Sequence, residues 1–157
     1  MIRIHKQLPA AIFFVMLCLL SPVMAAPAVD VEDPWIREAP PASTVLAAYM
    51  VIKNNGDTQY TITRIESPDF RDAQIHRTVV EDGVAKMMPV EQLPLPVHGS
   101  ISFEPGGLHL MLFDPLRSLR EGDEVKLVIH VSNGDSITVQ APVVRKRGED
   151  DHAHHHH

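Results

Sequence analysis

Proline, glycine and asparagine punctuate this chain so often that no long helix fits between them. Thirteen prolines and eight glycines separate short runs rich in Val, Ile and Thr, the residues that suit a pleated, half-buried strand. "VDVEDPWIREA" opens with a strand-like segment whose Trp35 is expected in the core. "STVLAAYMVIKNNGDTQYTITRIES" reads as a hairpin around "NNGD", and "AQIHRTVVEDGVAKMMPV" as a second one around "EDG", because Asn-Gly and Asp-Gly supply the positive φ angles of tight hairpin turns. There follow "SISFE", a "PGG" turn, "LHLMLF", an irregular "DPLRSLREGD" with room for one short helical turn, then "EVKLVIHV" and "SITVQAPVV" joined at "SNGD". Roughly eight or nine strands at this spacing predict an all-β, single-domain antiparallel sandwich or barrel with Greek-key connections. The chain shows no internal repeat.

The first 25 residues belong to no such pattern. Arg3, His5 and Lys6 precede the apolar run "LPAAIFFVMLCLL", and "SPVMAAPA" offers small residues for cleavage after Ala25, the pattern of a secretory signal peptide. The run is shorter than the ~20 residues of a membrane-spanning helix, so removal is expected, with no membrane span left behind. Cys18 lacks the preceding small residue of a lipid-attachment site. Because Cys18 is the only cysteine, the mature chain would carry no thiol for disulfides or for metal. Residues 26–145 then form the domain, and 146–157 form a histidine-rich tail. Without Arg3 and Lys6, 12 basic residues face 20 acidic ones, a formal charge of about −8. Phosphate binding relies on positive charge, which argues against nucleic acid as a partner.

Chemistry enters at "GLHLML", residues 107–112. Alternation places His109 and Met111 on one face of that strand, opposite Leu108, Leu110 and Leu112. If Asp82 and Gly83 form a two-residue loop, Thr78 faces Met87, and His76 shares that face at a diagonal of ~7–8 Å between Cα atoms. A three-residue loop would bring Met88 to the His76 face instead, since a one-residue slip exchanges the faces. Together the two His/Met pairs would offer two imidazoles and two thioethers, a neutral, soft set that selects Cu(I) over zinc or iron. Read singly, a strand methionine fills core gaps and a strand histidine is a satisfied polar residue. Met50 and Met88 read as packing residues, and His98 and His130 have no partner identifiable from the sequence.

The whole pattern, His76, ten residues, Met87, twenty-one residues, His109, one residue, Met111, with "WIREAPP", "AAYMVIKNNGD", "EDGVAKMMPV" and "EPGGLHLMLF" around it, resembles the PCu(A)C family of periplasmic copper chaperones over residues 29 to 143. The resemblance implies a cupredoxin-like β-sandwich holding one Cu(I) through His76, Met87, His109 and Met111. It also implies delivery to the CuA centre of cytochrome c oxidase or a related oxidase, often beside a Sco-type thiol protein. Thr78 departs from the family, whose members often place a methionine two residues after the first histidine. A blue-copper electron carrier needs a Cys thiolate, which the mature chain lacks, and no spacing links a nucleophile to a base. A monomeric binding protein is expected rather than an enzyme. Copper storage or resistance, and a non-metal sandwich acting as an interaction module, are the rival readings. His152, His154, His155, His156 and His157 in "DHAHHHH" read as a natural tail suited to Cu(II).

Overall fold

The computed structural model describes residues 27–40 and 42–145. The expected leader and the histidine tail, His152 and His154 to His157, lie outside the described residues. Every regular element described is a strand: β1 (Val29–Arg37), β2 (Val45–Asn54), β3 (Tyr60–Glu66), β4 (Phe70–Glu81), β5 (Val84–Pro89), β6 (Leu93–Leu95), β7 (Ser100–Phe103), β8 (Leu108–Pro115), β9 (Glu124–Val131) and β10 (Ser136–Val144). They pair in the order β5-β4-β8-β2-β1-β10-β9-β3-β6, with β7 also on β2. All ladders are antiparallel except a short parallel contact of Ile36 with Val143 and Arg37 with Val144, where one half of the sheet hands over to the other. The halves enclose one apolar core: Ile36, Ile52, Ile75, Leu110 and Leu112 from one side, Ile62, Ile65, Leu127, Ile129 and Val143 from the other. This is the Greek-key β-sandwich that the turn spacing predicted. Each fully buried Leu or Ile contributes roughly 1.5–3 kcal/mol, so the leucines of β8 hold that strand firmly in the middle of its layer.

The "NNGD" segment is not a hairpin. β2 pairs with β1, β7 and β8, while β3 pairs with β6 and β9, so this loop carries the chain from one layer to the other. The cause is Asn54, which is only 1% exposed. Its side-chain amide donates to the carbonyls of Thr58 at 2.8 Å and Pro96 at 2.9 Å, and its Oδ1 accepts from Gly56 N–H at 3.0 Å. Gly56 has no positive φ, so the turn geometry that makes Asn-Gly a hairpin signal is absent.

"PGG" does not reverse the chain either. β7 and β8 both run antiparallel to β2 along its same edge, Phe103 opposite Met50 and Leu110 opposite Ala48. Residues 104–107 are an excursion within what is otherwise one strand, closed by Glu104 N–H to Leu108 C=O at 2.7 Å and Gly107 N–H to Glu104 C=O at 3.1 Å. "DPLRSLR" forms no helix; β8 runs on to Pro115, and Leu116 N–H bonds to the Asp69 carbonyl at 2.8 Å. Trp35 is buried, but on the outer face of its layer, its ring 4.5 Å from Tyr49 with the Arg37 guanidinium 5.9 Å above it, because neighbouring Ile36 takes the core-facing position. Met50 is a core residue, as expected.

Replacing Asn54 by Ala should lower the unfolding free energy by about 2–3 kcal/mol, since it leaves buried carbonyls and an amide unpaired. Urea denaturation measures this. A loss below ~0.5 kcal/mol, the size of an ordinary surface substitution, would mean that the corner is held by something else.

Candidate metal centre

The β4–β5 hairpin has the two-residue loop. Glu81 pairs with Val84 across Asp82 and Gly83, whose φ angles of 53° and 77° are those of a type I′ turn. Aspartate tolerates this left-handed conformation better than most side chains, and glycine is free to adopt it. The register that follows places Thr78 opposite Met87 and Arg77 opposite Met88. Met87 therefore shares a face with His76, and Met88 points the other way. Val90 N–H donates to Ile75 C=O at 2.8 Å, so by alternation Pro89, opposite His76, falls where its missing N–H would have pointed away from β4. A proline at this place costs the ladder nothing.

On the other side of β4, β8 brings His109 directly opposite His76 and Met111 opposite Gln74. The two imidazole centroids stand 6.2 Å apart at 40°. Leu108, Leu110 and Leu112 anchor β8 in the core, which turns His109 and Met111 outward onto the face that carries His76. Ala47, the β2 partner of Met111, leaves space beside the thioether on that face. His76 is the hub of the constellation: His109 is its direct neighbour, and Met87 and Met111 are its two diagonals, on opposite sides. His109 is buried at 6% exposure, Met111 and His76 are half-buried, and Met87 is 58% exposed on β5, the edge strand. The gradient from buried imidazole to open thioether runs across three strands.

Hydrogen bonding decides which ring nitrogens are free. His109 Nδ1 lies 3.1 Å from the Gly107 carbonyl oxygen, which can only accept, so Nδ1 carries the proton and Nε2 keeps its lone pair. The same carbonyl accepts from Thr78 N–H at 3.1 Å, which ties the 104–107 excursion to both β4 and the ring. His76 Nε2 lies 3.1 Å from Gln74 Oε1, another acceptor, which leaves the lone pair on Nδ1. That Nδ1 is buried and has no hydrogen-bond partner among the described residues. A polar atom stranded in this way costs roughly 1–3 kcal/mol, and a bound metal ion would satisfy it. Burial first, and the neighbouring His109 second, hold the His76 imidazole below its ordinary pKa of 6.5, which keeps it neutral and able to donate a lone pair.

Among the described residues no three His, Cys, Asp or Glu side chains gather where they could hold a metal. The centre exists only if thioethers count as donors, and a pair of imidazoles with thioethers suits Cu(I) better than zinc or iron. His98 pairs with Asp57 at 3.0 Å, and His130 with Glu66 at 2.9 Å, partners that the sequence did not disclose. Gln74 and Asp72, whose Oδ2 accepts from Gln74 Nε2 at 2.7 Å, were missed as well. Their i−2 and i−4 spacing from His76 on one strand face was the available signal. Nothing local points to Ala47, whose role comes from β2, while the Gly107 carbonyl lies only two residues before the His109 ring that it meets.

The model of the LpqE-like family matches residues 29–143. A Rickettsia prowazekii protein, RP573, is 30% identical over 124 residues, covering 76% of this chain and 68% of its own. Among solved structures, a copper-bound PCuAC domain from PmoF2 superposes with a TM-score of 0.63 at 24% identity, covering 76% of this chain and 94% of that domain. Cu(I)-DR1885 from Deinococcus radiodurans superposes at 0.61 with 25% identity, covering 78% and 82%.

The metal-free protein should lose stability as pH falls below 6.5. The depressed pKa of folded His76 means that the unfolded chain takes up its proton first, so acid favours unfolding until the folded-state pKa is reached. Denaturation midpoints measured between neutral pH and about pH 5 should show this slope, and His76→Ala should flatten it; the same slope in both proteins would place the proton elsewhere.

Proposed function

The chain belongs to the LpqE-like family, and from that membership and the donor geometry we propose that it is a periplasmic Cu(I)-binding metallochaperone, with His76, Met87, His109 and Met111 as ligands. The observation that carries the reading is the buried, unpartnered Nδ1 of His76 beside the His109 ring. The PCu(A)C resemblance agrees with it, as do the copper carried by the PmoF2 domain and the Cu(I) carried by DR1885, which share the fold.

Copper here is cargo. His76 Nδ1 and His109 Nε2, each on a ring whose other nitrogen is held by a hydrogen bond, form the fixed half of the site. Met111 joins from the same β8 strand that is anchored in the core. Met87, on the exposed edge hairpin, is the last donor to engage and the first to leave. A partner with stronger donors replaces the thioethers one at a time from this open side, and the metal passes without ever being a free ion. The thioethers bind without losing a proton and form no disulfides, so the site keeps its donors in an oxidising compartment. The receiving partner is an oxidase subunit assembling its CuA centre, with a Sco-type thiol protein as an intermediary. The exposure of Met87 favours delivery over storage, since a buffering site gains nothing from an open edge. The histidine tail, His152 with His154 to His157, gathers Cu(II) separately.

A Cu(I) titration against a chromophoric chelator should find one tight equivalent that survives deletion of the tail. Met111→Leu should weaken it by at least the roughly 10–100-fold that loss of an outer-shell partner costs a metal site. Met88→Leu should leave it unchanged, because Met88 lies on the other face. Equal affinity in Met111→Leu and wild type would overturn the ligand set. Affinity should also fall on acidification as protons compete for the imidazoles; with His76 depressed, its part of the fall begins below pH 6.5. Loss of Cu(I) to an apo CuA fragment faster than by unaided dissociation would separate delivery from buffering.

A further inference from the structure

Resting on the Cu(I) reading, we propose that Asp72 and Gln74 are positioning residues that fix the tautomer of His76 and so decide which of its nitrogens meets the metal. The two side chains and the imidazole occupy successive outward positions of β4, at i, i+2 and i+4, the spacing at which strand residues share a face. They are joined head to tail. Ala73 N–H donates to Asp72 Oδ1 at 2.8 Å, Gln74 Nε2 donates to Asp72 Oδ2 at 2.7 Å, and Gln74 Oε1 lies 3.1 Å from His76 Nε2.

The direction of the relay follows from one fact. An ionised carboxylate only accepts hydrogen bonds. Asp72, steadied by the backbone N–H next to it, therefore admits only the amino end of Gln74. The amide cannot flip, because its reversal would set Oε1 against a carboxylate oxygen. With Nε2 of Gln74 committed to Asp72, Oε1 faces the ring, and an oxygen there accepts the proton of His76 Nε2. The ring has no other neutral tautomer that satisfies this contact, so the lone pair is delivered to Nδ1, the atom that is buried and empty-handed. His109 needs no relay of this kind, because a fixed backbone carbonyl does the same task for its Nδ1. The two imidazoles thus offer opposite nitrogens, Nδ1 from His76 and Nε2 from His109, which suits two rings that face each other across one ladder position: the short arm of one and the long arm of the other can converge on one ion. Gln74 is also the β4 partner of Met111, so the relay borders the site without contributing a donor to it.

The test pairs a spectroscopic readout on the metal-free protein with an affinity on the loaded one. Long-range 1H–15N correlation of the imidazoles, at alkaline pH where both are neutral, should show His76 in the wild type with Nε2 protonated and Nδ1 bare. Gln74→Leu removes the acceptor; His76 should then populate both tautomers, and Cu(I) affinity should fall about tenfold, the low end of the range for lost outer-shell partners. Asp72→Ala, which frees the amide to rotate, should shift the spectrum in the same direction. Gln74→Glu, which keeps an acceptor at the ring, should retain the wild-type tautomer and affinity. Thermal denaturation of each variant confirms folding. A His76 tautomer unchanged in Gln74→Leu, or unchanged Cu(I) affinity alongside a changed tautomer, overturns the inference. A wild type that shows the fixed tautomer yet takes up no Cu(I) overturns the proposed function and the role of the relay in it, and the separate spectroscopic channel tells that failure from the first.

Discussion

The pairing of β4 with β8 in one register, His76 opposite His109, is the arrangement on which everything else at the site depends. A shift of one residue would send His109 and Met111 into the core and the leucines outward. The register is held from the apolar side, where Ile75 and the three leucines of β8 are packed into the sandwich. The hydrophobic effect therefore aims the donors, although none of the donors takes part in it. The polar side adds one clamp: the Gly107 carbonyl, offered by the 104–107 excursion, receives both Thr78 N–H and the His109 ring.

From that pair outward, stiffness falls and exposure rises. His109 sits on a strand with neighbours on both sides, and Met87 sits on the last strand of its layer. The Cu(I)-carrier role proposed above calls for this asymmetry, because binding would have to be strong enough to hold the ion and open enough to release it. Neutral donors fit the same need. Neither imidazole nor thioether must shed a proton, so the site is ready at neutral pH, and the depressed His76 extends that readiness toward acid. The chain belongs to the LpqE-like family and shares its fold with a copper-bound PCuAC domain of PmoF2 and with Cu(I)-DR1885.

The short range of the evidence in a sequence explains what could be read from it. The "EDG" and "SNGD" turns were legible because a hairpin is decided by residues in contact with each other, and Gly83 and Gly134 carry the positive φ that those turns require. "NNGD" misled because the same letters serve a different end there: Asn54 spends its side chain on carbonyls four and forty-two residues away, and that commitment overrides the turn preference. "PGG" misled because a loop within a strand and a loop between strands use the same residues, and only the shared partner β2 tells them apart. Trp35 was assigned to the core on its apolar character, yet alternation against Ile36 gives it the outer face.

The sequence by itself determined the fold class and the pairing of His109 with Met111 on one face, since each rests on alternation and on turn chemistry within a few residues; it narrowed the β4–β5 hairpin to two registers, of which the structure takes the one that selects Met87 over Met88. Only the tertiary structure decided that β4 and β8 are neighbours, that the two histidines meet in one ladder position, that the site lies on the outer face of its layer, and which imidazole nitrogens are left bare. The neighbours are settled by contacts between segments far apart in the chain, where the packing of the apolar core makes the choice and no local pattern records it; the bare nitrogens follow from acceptors two residues away, at Gln74 and Gly107, whose placement depends on the folded strand and loop.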